Sequence, residues 1–316
     1  MFHRTIGELS RAMRSVNHIG ERDGVLILAG QTGSGKTELA IGLAQRFDAE
    51  IVGADSRQIY AGMAIGTAAP TAAQRAAVPH HLIEFLDPHE RYSAGRFVTD
   101  ALAAIADIQN RGKRAIVAGG TGFYIRALTG GARLSPQADP EVRDRLSREA
   151  RIHDAEFLHG WLSVRDPRRA AALHPRDRYR VMRALEIALS APRTGLAHPH
   201  TLETLGIPYA KVFLQIDAAE LRRRIEGRID DMLARGLVEE AERIGLEAVA
   251  FDAVGYPQAL AFAAGWCTFA EMRALLIRAT RRYASRQAAW FRSEPNVHRV
   301  HASAVPSLAR EMLGWV

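Results

Sequence analysis

Eight consecutive residues, Gly30-Gln31-Thr32-Gly33-Ser34-Gly35-Lys36-Thr37, have the types and spacing to hold a phosphate. The glycines let backbone N–H groups curl around phosphate oxygens, Lys36 supplies a cation, and Thr37 offers a hydroxyl to Mg²⁺. The helix expected to start here adds the favourable end of its dipole. This P-loop pattern does not say whether the phosphates belong to a nucleotide or to another diphosphate. A second cluster, Asp55-Ser56-Arg57-Gln58, brings a carboxylate that fits three roles: a Mg²⁺ ligand, a general base acting on substrate, or a helix N-cap. Gly119-Gly120-Thr121-Gly122 adds another turn rich in exposed N–H groups with one hydroxyl, and it lacks the aspartate that many ATPases place there for Mg²⁺. Arg224 and Arg228 are both placed to clamp an anionic substrate, and spacing does not choose between them. His80-His81 suggests a metal only superficially, because adjacent strand side chains point to opposite faces and no third ligand is suitably spaced.

The flanking pattern dictates how these groups are carried. The apolar runs Val25–Ala29, Ile51–Ala54, His80–Phe85, Arg114–Ala118, Lys211–Ile216 and Val297–Val300 read as strands. Between them, Phe97, Val98, Ala101, Leu102, Ile105 and Ile108 follow a helical period. The alternation predicts an α/β fold, a P-loop NTPase-like parallel sheet flanked by helices, with ligands at the carboxyl ends of the strands. Asp55 and the Gly119–Thr121 turn should then lie beside the phosphate loop. Residues 126–210 lose the strand pattern and become helical and arginine-rich. The expected division is an extension over 1–23, a catalytic core over 24–125 and 211–316 with basic C-terminal helices, and a helical insert over 126–210. On the insert's last helix Arg176, Arg180 and Arg183 share one face with Tyr179 among them, while Val181, Leu185 and Ala188 share another. A second basic-aromatic surface combines Arg278, Arg282 and Arg286 with Tyr283 and Trp290.

Forty-two Lys and Arg against 35 Asp and Glu give a net charge of +7, which suits a nucleic-acid partner. The single cysteine, Cys267, excludes an internal disulfide framework and a cysteine-built zinc cage. No apolar run approaches the ~20 residues that span a bilayer, and residues 1–22 mix charges where a signal peptide would be apolar. The expectation is a cytoplasmic protein with no membrane partner.

Taken in order, these residues resemble a known family, the bacterial tRNA dimethylallyltransferases or tRNA isopentenyltransferases. The resemblance runs from position 25 through Gly30–Thr37, Asp55–Tyr60, Gly62-Met63 with Ile65–Ala68, His80–Ile83, Gly119–Thr121, Asp139–Arg143, Arg180 with Arg183–Glu186, Val254–Tyr256, and Thr280-Arg281 to Arg292. It implies transfer of a dimethylallyl group from dimethylallyl diphosphate to N6 of adenosine-37, immediately 3′ of the anticodon, in tRNAs reading codons that begin with U. The products are N6-isopentenyladenosine and diphosphate. Although the loop Gly30, Gln31, Thr32, Gly33, Ser34, Gly35, Lys36 and Thr37 carries a nucleotide- and ATP-binding signature, in that family it holds the donor diphosphate. The target base is flipped into a channel through the protein, as chemistry inside a stack requires. The resemblance assigns Asp55, Thr121 and Arg228 to the catalytic set, Asp55 as general base and Arg228 on the donor diphosphate. It assigns tRNA contacts to Asp55, Ser56, Arg57, Gln58, Thr121, Arg143, Tyr179, Arg180, Val181, Met182 and Arg183, and Mg²⁺ to Thr37. A monomer is expected.

The chain departs from the family at Gln31 (commonly proline), Gly33 (alanine) and Ala69 (often lysine), and over residues 190–199. Three rivals remain open on the sequence. A small-metabolite kinase would show ATP chemistry without RNA, a prenyltransferase of free adenine nucleotides would not use the insert, and a non-catalytic RNA-binding protein would keep RNA affinity without Lys36 and Asp55.

Overall fold

The computed structural model describes residues 24–132, 134, 139–190 and 200–316, so the expected extension over 1–23 and the departure over 191–199 lie outside the described residues. The chain forms two compact units, one from residues 1–132 with 199–316 and the other from 133–198.

In the first unit the order is β1 (Val25–Gly30), α1 (Lys36–Arg46), β2 (Ala49–Gly53), α2 (Ala64–Thr67), α3 (Ala72–Ala77), β3 (His80–His81), α4 (Ala94–Asn110), β4 (Arg114–Gly119) and α5 (Gly122–Leu128). In the second unit come α6 (Pro140–Ile152), α7 (Ala155–Arg165), α8 (Pro167–Ala171) and α9 (Arg178–Leu189). The first unit resumes with β5 (Tyr209–Leu214), α10 (Ala218–Ala234), α11 (Leu237–Ile244), α12 (Tyr256–Ala263), α13 (Phe269–Arg292), β6 (Val297–Val300) and α14 (Val305–Leu313). Six strands form one sheet in the order β3-β2-β4-β1-β5-β6, parallel throughout. Leu26 of β1 lies opposite Ile116 of β4 and Ala210 of β5.

Continuous apolar strands are what a parallel sheet covered on both faces demands. Every residue of β1 is buried. Leu26, Leu28, Leu43, Phe47, Val212 and Trp315 belong to one core cluster, and α4 buries the six apolar residues that its sequence period picks out. A separate cluster joins Ile59, Tyr60 and Met63 to Ile225, Ile229, Leu237, Tyr256 and Leu276. It fixes α10 through α13 beyond the carboxyl ends of the strands, where the loops after β1, β2 and β4 converge.

The strand expected over His80–Phe85 is only His80–His81 long. Leu82 (φ 59°) and Glu84 (φ 48°) turn left-handed, and the Glu84 and Phe85 N–H groups donate instead to the Gln58 and Ile59 carbonyls. His81 Nε2 pairs with buried Glu50 at 2.8 Å and His80 Nδ1 with the Val78 carbonyl at 2.7 Å. These histidines therefore hold the sheet edge, and no group of three potential metal ligands exists among the described residues.

The second unit buries Leu146, Leu158, Leu162, Val181, Ala184 and Leu185 together. Aspartates start its helices: Asp139, Asp154, Asp166 and Asp177 each accept an N–H two or three residues on, satisfying donors a helix leaves unpaired. Ala188, expected on the packed face, is exposed, and Ala184 takes its place. Residues 126–132 and 199–210 belong to the α/β unit although their arginine and turn content reads as insert. Ala127 and Leu128 are fully buried there, and the Leu202 N–H donates to the Leu128 carbonyl at 2.9 Å.

Candidate active site

The phosphate loop follows β1 and is turned by Gly33 (φ 81°) and Gly35 (φ 84°), conformations a β-carbon disfavours. Lys36 Nζ donates to the Gly30 and Gln31 carbonyls at 2.8 and 2.7 Å, which holds the ammonium inside the loop. Burial pushes its pKa down to about 8; the Arg228 guanidinium acts in the same direction, and the Asp55 and Glu38 carboxylates oppose it. The buried Ser34 hydroxyl has no hydrogen-bond partner in the loop, an orphan donor of the kind a phosphate oxygen satisfies.

Asp55 stands after β2. Its Oδ1 accepts the Arg57 N–H at 2.9 Å and, weakly, the Gln58 N–H at 3.4 Å, so it caps a turn; no helix starts there. Oδ2 makes no hydrogen bond among the described residues, leaving one carboxylate oxygen for substrate. The loop after β4 locks this geometry: Thr121 Oγ1 accepts the Ser56 N–H at 2.9 Å, and the Thr121 N–H donates to the Ala54 carbonyl at 3.2 Å. Gly119 allows that approach, since a β-carbon there would stand 2.1 Å from the Ala54 carbonyl oxygen.

A cavity of about 540 Å³ joins these loops within the first unit. Lys36, Thr37, Asp55 and Arg228 are in its lining, together with the apolar side chains of Ala68, Ala69, Ile229, Met232 and Leu276. Arg228 donates to the Thr67 carbonyl at 3.4 Å. Burial lowers its pKa, with Asp55 the strongest opposing charge. Arg224 is not in the lining; it is exposed and tied to Glu220 at 2.7 Å, with its Nη1 beside Gly35 of the phosphate loop, where a β-carbon would stand 2.9 Å from it. Tyr283 also lines the cavity, and burial together with the Asp55 carboxylate raises its pKa, keeping the phenol protonated.

The remaining expected contact residues are dispersed. Ser56, Arg57 and Gln58 line the cavity. Arg57 pairs with Asp252 at 2.9 Å, and Gln58 Nε2 is turned inward onto the Thr67 and Ala68 carbonyls at 3.1 and 3.0 Å. In the helical unit Arg143 and Arg183 share Glu186 at 3.1 and 2.7 Å. Tyr179 is 82% exposed, Arg180 is exposed, and Met182 is partly buried. Val181, to which the resemblance assigns a tRNA contact, is fully buried in the bundle core, on the stripe with Leu185 that the helical period predicts and that packs against α6 and α7.

Sequence reasoning missed the groups that hold the loops from outside. Glu240, buried on α11, accepts the Ile65 and Gly66 N–H groups at 2.9 and 2.7 Å and the Tyr256 hydroxyl at 2.8 Å, pinning the Gly66–Ala69 wall of the cavity. Gln287, 6% exposed on α13, accepts the Thr32 N–H at 2.8 Å and donates to the Gly120 carbonyl at 3.1 Å. Gln31 Nε2 donates to the Ala284 carbonyl at 3.1 Å. The only sequence signal for Gln287 and Tyr256 is that each falls within a segment carrying the family resemblance.

Comparison with known proteins shows the family of the chain. Residues 58–294 match the family model described as IPP transferase, and residues 23–83 match that of isopentenyl transferase. The chain is 45% identical over 281 residues to tRNA dimethylallyltransferase 1 of Citrifermentans bemidjiense, covering 87% of this chain and 90% of that protein. It superposes on the crystal structure of the full-length tRNA isopentenylpyrophosphate transferase of Bacillus halodurans with a TM-score of 0.66 at 33% identity, covering 93% of this chain and 96% of that one. A eukaryotic dimethylallyltransferase captured acting on tRNA gives a TM-score of 0.70 at 27% identity, over 93% of this chain and 77% of that one. Similarity of this extent, over the residues that build both the phosphate loop and the cavity, means that the chain belongs to the IPP transferase family, the family of the tRNA dimethylallyltransferases.

Proposed function

We propose that the protein transfers the dimethylallyl group of dimethylallyl diphosphate to N6 of adenosine-37 in tRNAs reading codons that begin with U. The observation that carries this reading is one cavity whose lining combines a phosphate loop and two cations with aliphatic side chains and the free Asp55 oxygen. A five-carbon allylic diphosphate suits that combination. An aromatic amine is a weak nucleophile, so the reaction needs a stabilised leaving group and a proton acceptor. Loop amides, Ser34, Lys36 and Arg228 receive the charge that develops on the diphosphate as its bond to the allylic carbon breaks. Asp55 Oδ2 takes the N6 proton as the new C–N bond forms.

Mg²⁺ fits the residues present: the Thr37 hydroxyl, which makes no hydrogen bond among the described residues, is the kind of hard oxygen donor that Mg²⁺ combines with phosphate oxygens. Bound there, it would add charge stabilisation to the departing diphosphate. The aliphatic side chains in the lining, Ile229, Met232 and Leu276, favour a prenyl donor over the substrate of a small-metabolite kinase. Nuclease mapping with mass spectrometry of tRNA treated with the protein, donor and Mg²⁺ tests the target: the added prenyl group should fall on the anticodon-loop fragment at adenosine-37. A prenylated free nucleotide with unmodified tRNA would support the nucleotide prenyltransferase instead.

Two further outcomes follow from this reading. Replacing Arg180 and Arg183 together weakens tRNA binding and flattens its salt dependence, by about one unit of log–log slope for each phosphate that is no longer neutralised. Equal slopes in titrations from low to high salt would return both residues to a solvated surface, Arg180 paired with Asp177 and Arg183 with Glu186. Because burial pushes the Lys36 pKa down to about 8 in the empty loop, diphosphate binding near that pH draws a proton onto the neutral amine, and affinity falls as pH rises through it. Calorimetry in buffers of different ionisation enthalpy should show proton uptake, and Lys36→Met should lose that component.

A further inference from the structure

We propose that Gln287 is a positioning residue that sets the separation between the donor's leaving group and the general base. The loops after β2, β4 and β1 lie side by side in the sheet. Asp55 occupies the first, Thr121 the second and the phosphate loop the third. Strand pairing ends below them, at Gly53–Ala118 and Ala29–Gly119. Above that point the Thr121 N–H still reaches the Ala54 carbonyl at 3.2 Å, and side chains add the remaining ties. Thr121 Oγ1 joins the β4 loop to the β2 loop through the Ser56 N–H at 2.9 Å. Gln287 joins the β4 loop to the phosphate loop, donating from Nε2 to the Gly120 carbonyl at 3.1 Å and accepting the Thr32 N–H on Oε1 at 2.8 Å.

The residue type is dictated by this geometry. One partner is a backbone donor and the other a backbone acceptor, and a side-chain amide presents a matching acceptor and donor on one planar group. The contact is also close: a β-carbon on Gly120 would stand 2.1 Å from Gln287 Nε2, so the turn must carry glycine for the amide to reach its carbonyl. Gln31 adds a second tie from the phosphate loop to the same helix, through the Ala284 carbonyl at 3.1 Å. With Gln287 buried, both of its bonds lie where an unmade partner costs most.

In a displacement at an allylic carbon, nucleophile and leaving group must stand at a fixed separation, and a misplacement of about 1 Å costs on the order of 10²-fold in rate. Gln287 reaches the cavity lining with both amide groups engaged, Oε1 by the Thr32 N–H and Nε2 by the Gly120 carbonyl, so it acts through those two loops. Its loss therefore changes how the two half-sites are spaced more than how tightly either holds its ligand.

This assignment rests on the phosphate loop being the donor-diphosphate site. The test is steady-state and single-turnover kinetics of Gln287→Met, which loses both bonds, and Gln287→Glu, which keeps the acceptor and faces a second acceptor at Gly120. Rates are normalised to folded protein by diphosphate titration. The expected result is a fall in kcat of about 10- to 100-fold, a donor KM within about threefold of wild type, and non-additivity with Thr121→Val, because both changes release the same β4 loop. A folded variant with wild-type kcat, a loss confined to donor KM, or strict additivity with Thr121→Val would overturn it. Failure of the donor-site reading looks different: wild type would still transfer, and Lys36→Ala would leave donor KM unchanged.

Discussion

Asp55→Asn should lower turnover by roughly 10²- to 10⁴-fold, the span that loss of a general base usually produces, while tRNA binding stays close to wild type. The substitution keeps size and keeps an oxygen able to accept the Arg57 N–H, which Oδ1 now takes at 2.9 Å. What disappears is a carboxylate oxygen that carries no other hydrogen bond and can remove a proton from N6. Its neighbours are tuned to that carboxylate: Asp55 opposes the loss of charge on Lys36 and Arg228 and raises the Tyr283 phenol. Removing the charge therefore also draws the Lys36 pKa lower than about 8. The variant should thus lose activity at a lower pH than wild type, and a pH–rate profile alongside kcat checks both statements. Turnover at the native rate would remove Asp55 from the base role.

Lys36→Ala should weaken donor binding by about 10- to 100-fold, the equivalent of a charge-assisted hydrogen bond of about 1.5–3 kcal/mol. The chemical step should fall further, because charge builds on the diphosphate as its bond to carbon breaks. Inorganic diphosphate should compete with the donor in wild type and compete poorly in the variant. The folded state tolerates the change at the level of packing: Nζ leaves two loop carbonyls, and the aliphatic core beneath β1 is untouched. Measurement of donor KM and diphosphate Ki for both proteins decides it, and equal constants would place the donor elsewhere.

The parts of this site that act through local spacing were legible in the sequence. Gly30 to Thr37, Asp55 and Thr121 each sit at the end of an apolar strand, and a parallel sheet brings strand ends together whatever their separation in the chain. What could not be read were choices made by distant side chains. Arg224 and Arg228 share a helix and a charge, and only the packing of α10 against the Gly66–Ala69 wall separates the lining residue from the solvated one. Val181 is a different case: it lies inside a segment that resembles an RNA-contacting stretch, but the helical period already set it on the packed face with Leu185, where the structure buries it. The amide bridge from Gln287 to Thr32 spans 255 residues, and no local pattern announces a pair so far apart. The extended reading of His80–Phe85 failed because strand propensity does not sense the left-handed turns at Leu82 and Glu84, which let that segment bond to Gln58 and Ile59.

The most direct measurement of the central claim is a single-turnover assay of purified protein with tRNA, dimethylallyl diphosphate and Mg²⁺ and no ATP, quantifying prenylated adenosine and released diphosphate together. The two products should appear in equal amounts and at equal rates, with ATP neither required nor consumed. An absolute requirement for ATP, or diphosphate release without a prenylated base, would contradict it.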